Sequence, residues 1–122
     1  MTTPCIQSLT VTPIRMSPAE AALTVTVQLS GPVENFELHS ELRGKLVGPR
    51  RAGFTTIEVA YPLRSTRDNP LSLTGVIPEP NFWSVETPYR YDGVVELWHA
   101  GVKCDGKTFI VEIRASESCN PG

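Results

Sequence analysis

The sequence predicts an all-β fold, an antiparallel β-sandwich of about seven to eight strands. Apolar residues recur at every second position in most segments, which is the pattern of strands that are buried on one face. The 11 prolines and 9 glycines fall between these apolar runs, and no segment has the length of a long helix. The 122 residues are therefore expected to form a single domain, 1–122, whose core needs neither a disulfide nor a metal.

The strands are predicted from this alternation, which is clearest in the second of them, Leu23–Leu29. Its odd-numbered residues are apolar and its even-numbered ones polar, so one face is expected to be buried. The predicted core contains Leu23, Val25, Val27, Leu29, Val95 and Leu97. The remaining predicted strands lie around Ile6–Val11, Phe36–Leu42, Phe54–Tyr61, Leu71–Ile77, Tyr91–Leu97 and Phe109–Ile113.

Proline and glycine set the expected strand ends, because Pro donates no backbone N–H and Gly weakens a strand interior. Pro13 is expected to end the first strand and Pro62 the fourth. Residues 44–49, with Gly44 and then Gly48 before a proline, are expected to form a bend and a turn, and residues 104–107 another turn before the last strand. Residues 17–22 have room for one helical turn, with Ser17 as its cap.

The charge balance excludes one large class of partners. Lys and Arg number 11 against 13 Asp and Glu, for a net charge of -2. A binder of nucleic acid or of an anionic membrane draws its affinity from neutralised phosphates, so neither partner is expected. The basic cluster of Arg43, Lys45, Arg50 and Arg51 is interpreted as a solvated hairpin tip that protects a strand edge.

The N-terminal residues and the cysteines indicate the cellular compartment in which the protein is expected. No basic segment followed by an apolar run begins the sequence, and no window reaches the length of a membrane span, so a cytoplasmic location is expected. Cysteines stand at positions 5, 104 and 119, an odd number that fits a reducing compartment. A bridge between Cys104 and Cys119 remains an open alternative.

A more specific motif lies in residues 77–91 and runs into the apolar alternation of residues 94–97. It consists of Pro80, Trp83, Ser84, Glu86, Pro88 and Tyr91. This motif resembles the end of the immunoglobulin-like β-sandwich domain of glycoside hydrolase family 2, the β-galactosidase and β-glucuronidase family. There, a Pro and then Trp-Ser-Pro-Glu-x-Pro-x-Leu-Tyr precede a strand. Val85 stands where that family has Pro, and Arg90 where it has Leu. The resemblance implies an immunoglobulin-like antiparallel β-sandwich.

The same segment also has a physical interpretation of its own. Its prolines hold the chain extended while it crosses the end of a sandwich between two strands. Trp83 is expected to be largely buried as a cap on the core, so that Trp83→Ala would cost about 3–5 kcal/mol. Tyr89 and Tyr91 fall on one face of a strand, and a buried Tyr hydroxyl is expected to find a backbone acceptor, similar in kind to a tyrosine corner.

No catalytic, cofactor-binding or metal-binding residue is predicted, so the chain is not expected to be an enzyme. Hydrolysis in the family that it resembles depends on two carboxylates, and these lie on a separate barrel domain. The resemblance therefore brings no catalytic residue to this sequence, and Glu86 is assigned to the motif alone. The two histidines lie on different predicted strands, and neither has a partner at metal-ligand spacing.

A contact surface is predicted on the strand that follows the motif. Alternation places Val94, Glu96 and Trp98 together on its outward face, unless a bulge near Gly93 reverses the pattern and buries Trp98. The expected function is a non-catalytic structural or protein-interaction module, with a protein partner or self-association through this surface. The alternative is a carbohydrate-binding module that uses an exposed Trp as a stacking platform.

Overall fold

The computed structural model of the chain describes residues 5–30, 40–65 and 71–114. These ranges contain no helix, and hence none with the length and apolar character to cross a membrane. They form seven antiparallel strands, which confirms the predicted all-β fold. The strands are β1 (Cys5–Met16), β2 (Glu20–Ser30), β3 (Ser40–Arg50), β4 (Val59–Ser65), β5 (Ser72–Pro78), β6 (Arg90–His99) and β7 (Val102–Val111).

The strands follow the order β1-β2-β5-β4-β3-β6-β7 in one curled sheet. The curl sets β1, β2 and β5 in one layer and β3, β6 and β7 in the other, with the core between them. Constant-type immunoglobulin domains pair their first, second, fifth and fourth strands in one sheet and their third, sixth and seventh in the other. The same partners occur here, so the immunoglobulin-like sandwich is confirmed.

β4 joins the two layers because its two halves pair with different strands. Up to Leu63 it pairs with β3, and its last residues, Arg64 and Ser65, pair with β5. Leu63 is buried at this changeover. A Cβ atom on Gly75 would lie only 2.5 Å from Cδ2 of Leu63, and one on Gly44 only 3.0 Å from its Cδ1. Glycine on both neighbouring strands therefore leaves the space in which Leu63 packs.

The core contains the residues that the alternation predicted. Five of the six are buried, and Leu29 is half-buried at the end of β2 but packs against the others. No polar or charged side chain is buried among the described residues. The core is therefore held by apolar burial, which is worth about 25 cal/mol per Å² removed from water. The five buried residues are Leu23, Val25, Val27, Val95 and Leu97.

Two predicted boundaries near the first hairpin are wrong. Pro13 lies inside β1, opposite Leu23, and a register shift follows it before Arg15. Because β1 is an edge strand, a residue without an N–H is tolerated on its open side. Residues 17–22 form no helical turn: the Ser17 N–H donates to the carbonyl oxygen of Glu20 at 2.9 Å, and β2 begins there.

The predicted third and fourth strands are also shifted. β3 continues through Gly44 to Arg50, with a register shift after Val47 in place of a turn. Phe54 and Ile57 lie in an exposed loop between β3 and β4, not in a strand. The first part of the predicted third strand, residues 36–39, lies outside the described residues.

Pro62 lies within β4 and does not end it. It stands opposite Lys45 of β3, while β5 pairs with β4 only at Arg64 and Ser65. On the side away from β3, Pro62 therefore lies at a local edge, where a strand tolerates a proline.

The chain reverses between β6 and β7 at Ala100 and Gly101, not at residues 104–107, which belong to β7. His99 pairs with Val102, so the loop has two residues, with φ angles of 53° and 79°. Two successive positive φ angles define a type I′ turn, whose twist matches that of the strands. Cys104 has no opposite residue in the register and forms a bulge there. Cys119, its alternative disulfide partner, lies outside the described residues.

Candidate functional site

The family-like motif occupies one end of the sandwich, where residues 79–89, here called the crossing, connect β5 to β6. Main-chain hydrogen bonds attach the crossing to both layers. The Glu79 N–H donates to the carbonyl oxygen of Ala19 at 2.9 Å, just before β2. The Trp83 N–H donates to the carbonyl oxygen of Ile113 at 2.7 Å, just after β7. Irregular backbone needs such partners, because an unpaired buried N–H is costly.

The middle of the crossing is a tight turn that Ser84 and Thr87 close. The Ser84 N–H donates to the Thr87 carbonyl oxygen at 3.1 Å, and the Thr87 N–H donates to the Ser84 hydroxyl at 3.0 Å. Trp83 and Pro88 face each other across this turn as an isolated bridge, and Glu86 is exposed at its tip. Ser84 and Pro88 of the motif therefore hold the turn, and the motif's first proline, Pro80, is buried.

Tyr91 is the deepest aromatic residue of the motif, with 1% of its surface exposed. Its hydroxyl accepts a hydrogen bond from the Asn81 N–H at 2.9 Å, so the backbone partner is a donor and not the expected acceptor. A Cβ atom on Gly48 would lie 2.7 Å from the Tyr91 ring, so glycine is required there for the ring to pack. Burial raises the pKa of the Tyr91 phenol, and the bond from Asn81 offsets this only in part.

Trp83 is partly buried and less enclosed than Tyr91, so its proposed role as a cap on the core stays a prediction. The Arg114 guanidinium lies over its ring, 3.8 Å from the centre. Phe82, one residue earlier, is the aromatic residue of the crossing that packs against the core. The Trp83 main chain is hydrogen-bonded to Ile113, just after β7, which places the indole at the end of the sandwich.

The predicted contact surface, Val94, Glu96 and Trp98, lies on the outward face of β6. All three are half-buried, while Val95 and Leu97 between them are fully buried. The two irregularities beside β6 add a residue to its neighbours and not to β6 itself: one on β3, between Val47 and Arg50, and one on β7, opposite Leu97 and Trp98. The alternation therefore runs unbroken along β6, and Trp98 faces outward as predicted.

Charged groups surround Trp98 on this surface. The indole N–H donates to Oε1 of Glu96 at 3.0 Å, and the Arg43 guanidinium lies 3.9 Å from the ring centre. Nζ of Lys103 lies 3.3 Å from Oε2 of Glu96. The hydrogen bond from Trp98, followed by the Lys103 ammonium, holds the pKa of the Glu96 carboxyl below its ordinary value. The polar edge of Trp98 and one face of its ring are therefore already occupied.

The surface continues along β6 toward the crossing as a shallow cavity of about 600 Å³. Its apolar lining includes Val47, Val94 and Ile110, and its polar lining includes Arg50 and Asp92. Among the described residues, no group of three or more His, Cys, Asp and Glu side chains is arranged to hold a metal ion. The chemistry available here is thus that of a contact surface with apolar and charged parts.

The basic cluster is not a hairpin tip. Arg43 lies on the outward face of β3 and contacts Trp98, as described. Arg50, at the end of β3, forms ion pairs with Glu58 and Asp92. Arg51 lies over the ring of Phe54 and also near that of Tyr89. The sequence pattern missed this grouping because Tyr89 is far from Arg51 along the chain, and only the fold brings the two together.

No model of a protein family matches the sequence, and a search among curated proteins finds no match. Solved structures of glycosidases do resemble the fold. A β-glucuronidase from Bifidobacterium dentium, in complex with coumarin-3-O-glucuronide, matches 90% of this chain with a TM-score of 0.58 and 18% identity. A β-glycosidase from Bacteroides vulgatus matches 89% with a TM-score of 0.57 and 16% identity. A glycosyl hydrolase family 2 member from Bacteroides cellulosilyticus matches 90% with a TM-score of 0.56 and 17% identity.

The matched region is a small part of each of these enzymes. It is 18% of the first chain, 13% of the second and 15% of the third. The likeness to the family 2 sandwich that the motif indicated is confirmed in the fold, and at these identities it concerns the fold alone. The chain thus has the architecture of a small, all-β part of much larger glycosidases.

Proposed function

We propose that the chain is a non-catalytic accessory β-sandwich module that docks against another protein or domain. The observation that carries the proposal is the coverage: 90% of this chain corresponds to 18% of a β-glucuronidase. In the family that the motif resembles, the hydrolytic carboxylates lie on a barrel, and a barrel of about 250 residues exceeds the length of this chain. We therefore expect this sandwich to act through contacts with another protein or domain.

An activity assay tests the non-catalytic part of the proposal. The full chain, purified to homogeneity, is incubated with the 4-nitrophenyl β-glycosides of glucuronic acid and of galactose. We expect release of nitrophenol at the rate of the buffer alone. Turnover above that rate that follows the monomeric protein through a sizing column would overturn the proposal.

The outward face of β6 is proposed as one docking surface of this module. A sugar-stacking platform needs an open ring face, and the indoles of Trp98 and Trp83 each carry an arginine over the ring. A protein contact instead uses apolar neighbours such as Val94, with arginine and tryptophan as anchors. These features support a protein contact over a carbohydrate site.

Sedimentation and glycan binding separate these two functions. Wild type and Trp98→Ala are compared by analytical ultracentrifugation, by pull-down with a candidate partner and on a glycan array. We expect self-association or partner binding that Trp98→Ala weakens, and no glycan signal. A glycan signal that depends on Trp98 would favour the carbohydrate-binding module, and binding that does not depend on Trp98 would exclude this surface.

A further inference from the structure

Three arginines of the described chain have their guanidinium groups over aromatic rings. The distances from the guanidinium carbon to the ring centre are between 3.8 and 3.9 Å, within the range of a cation–π contact. The pairs are Arg43 with Trp98, Arg51 with Phe54, and Arg114 with Trp83.

The three arginines differ in how their charge is matched. Arg43 and Arg114 each form an ion pair with the glutamate two positions earlier in the sequence. Arg51 has no carboxylate partner among the described residues, and its one hydrogen bond there goes to the main-chain carbonyl oxygen of Glu86, at 3.1 Å. Arg51 is therefore the stacked arginine whose charge the described part of the chain leaves unmatched.

Arg51 is nevertheless held in place. The Phe54 ring lies 3.9 Å below its guanidinium carbon, the Tyr89 ring centre lies at 5.9 Å, and the Glu86 carbonyl oxygen accepts from its Nη2 atom. These contacts come from both the β3–β4 loop and the crossing. A guanidinium has five N–H donors in a planar fork, so most of its donors remain available in a fixed orientation.

Both segments that Arg51 joins expose apolar side chains, beside a shallow cavity of about 370 Å³ that is also lined by Arg50, Glu58 and Arg90. Phe54 is 59% exposed and Ile57 90% exposed on the loop, and Val85 is 81% exposed on the crossing. Single exposed apolar residues are ordinary, but Arg51 contacts Phe54 on the loop and the main chain of Glu86, next to Val85, on the crossing, so the surface around Arg51 is a patch with apolar and charged parts. The neighbouring Arg50 is already paired with Glu58 and Asp92, so the unmatched positive charge of this patch is that of Arg51.

We propose that Arg51, Phe54 and Tyr89 form a docking site for a segment of a partner protein in which an aspartate or glutamate is flanked by apolar side chains. The inference rests on the proposed function, that the module docks against a protein, and names the chemistry of the partner. The carboxylate accepts two parallel N–H bonds from Arg51, and the apolar neighbours lie against the rings of Phe54 and Tyr89. Charge and apolar character are thus complementary, and arginine with aromatic residues is the composition typical of interface anchors.

Selection from random peptides tests the chemistry without knowledge of the partner. The full chain is immobilised and panned against dodecapeptides displayed on phage, and the enriched peptides are synthesised with a fluorophore for anisotropy titration. We expect enriched peptides to share an Asp or Glu next to apolar residues. Arg51→Gln is expected to weaken their binding by about tenfold or more, since the charge-assisted pair is lost. Arg51→Lys is expected to restore part of it, because lysine keeps the charge without the fork.

Arg114→Gln is the matched control, because it removes the same charge from a stacked arginine whose carboxylate partner is present. We expect it to change peptide affinity by less than about twofold. A change of Asp to Asn or Glu to Gln in the peptide itself should reproduce the effect of Arg51→Gln on an unaltered protein. Because this change is made in the peptide, the test stays valid even if a variant of the chain unfolds.

The outcomes separate this site from the more general docking function. Enriched peptides without a carboxylate, no enrichment at all, or binding that Arg51→Gln leaves unchanged would each overturn the Arg51 site. If peptides bind, resist Arg51→Gln and are lost in Trp98→Ala, the docking function stands and its surface is the outward face of β6.

Discussion

Strand β6 and the crossing before it share one sequence motif but place their aromatic residues by different rules. Along β6, Tyr91, Val95 and Leu97 are at most 1% exposed, and Trp98 lies on the opposite face. In the crossing, Phe82 packs against the core while Trp83 beside it is half-buried at the end of the sandwich. Side chains on a strand of a sheet point to one of only two faces. In an irregular segment, the direction of each side chain depends on individual tertiary contacts.

The largest effect is expected from Tyr91→Ala, which empties a buried site in β6. We expect the free energy of unfolding to fall by about 3–5 kcal/mol, the range for deleting a large buried aromatic side chain. Urea denaturation followed by tryptophan fluorescence measures it. Tyr89→Ala is the control, since Tyr89 is half-buried and lies just before the strand. If the two variants lose similar stability, the contrast between strand and crossing fails.

Trp83→Ala should cost less, about 1–2 kcal/mol, because the indole is partly exposed and is not among the side chains that pack against the core cluster. Phe82→Ala is expected to cost more than Trp83→Ala despite the smaller side chain, since Phe82 packs against the core. The same denaturation experiment ranks the two. A loss of 3 kcal/mol or more from Trp83→Ala, about the value for a buried aromatic, would show that Trp83 caps the core after all.

Tyr91→Phe removes only the hydroxyl that links β6 to the crossing and so measures its contribution to stability. Removing it leaves the Asn81 N–H without its acceptor, so we expect a loss of about 1 kcal/mol at neutral pH. The raised pKa of Tyr91 adds a pH dependence: its stabilising contribution is complete below the ordinary value of 10.0 and is lost as the pH rises above it. Stability measured between pH 8 and pH 11, a range of about three units around the Tyr pKa, should fall less steeply in Tyr91→Phe. Parallel profiles would contradict this.

Two residues with positive φ angles, one in the hairpin after β6 and one at the start of the crossing, are sites where glycine is expected to increase stability. Ala100, in the hairpin after β6, has a φ of 53°, and Glu79, at the start of the crossing, has a φ of 46°. Glycine adopts these angles without a Cβ penalty, so Ala100→Gly and Glu79→Gly should each stabilise by about 0.5–1 kcal/mol. Thermal unfolding checks both, and a fall in Tm for Ala100→Gly would argue against the type I′ turn.

The smallest effect concerns the outward face of β6. Trp98→Phe removes the indole N–H that donates to Glu96, so the pKa of Glu96 should rise toward its ordinary 4.5. A carboxyl whose pKa is lower in the folded than in the unfolded state stabilises the fold at pH values above its unfolded-state pKa. That contribution is lost as the pH falls through the folded-state pKa. Carbon-detected NMR titration of the Glu96 carboxyl in wild type and in Trp98→Phe measures the shift. An unchanged Glu96 pKa would mean that Lys103 dominates.

The alternation in the sequence determined the all-β class, the core residues of β2 and β6, and the outward direction of Val94, Glu96 and Trp98. These follow because side chains on a strand alternate strictly, and an apolar face must be buried. Pro13, Pro62 and the turn at Ala100 could not be predicted in this way. Whether a proline ends a strand depends on whether its backbone nitrogen, which has no hydrogen to donate, faces a partner strand, and that is a property of the sheet order.

Only the tertiary structure decided how the residues between the strands are used. Trp83 lies at the rim because its main chain is hydrogen-bonded to Ile113, and Tyr91 packs because Gly48 on β3 leaves room for the ring. Arg51 meets Tyr89 only because the β3–β4 loop and the crossing end at the same edge of the sandwich. Local patterns carry information over neighbouring positions, whereas these contacts join residues far apart in sequence. Their geometry is therefore set by the packing of the whole fold.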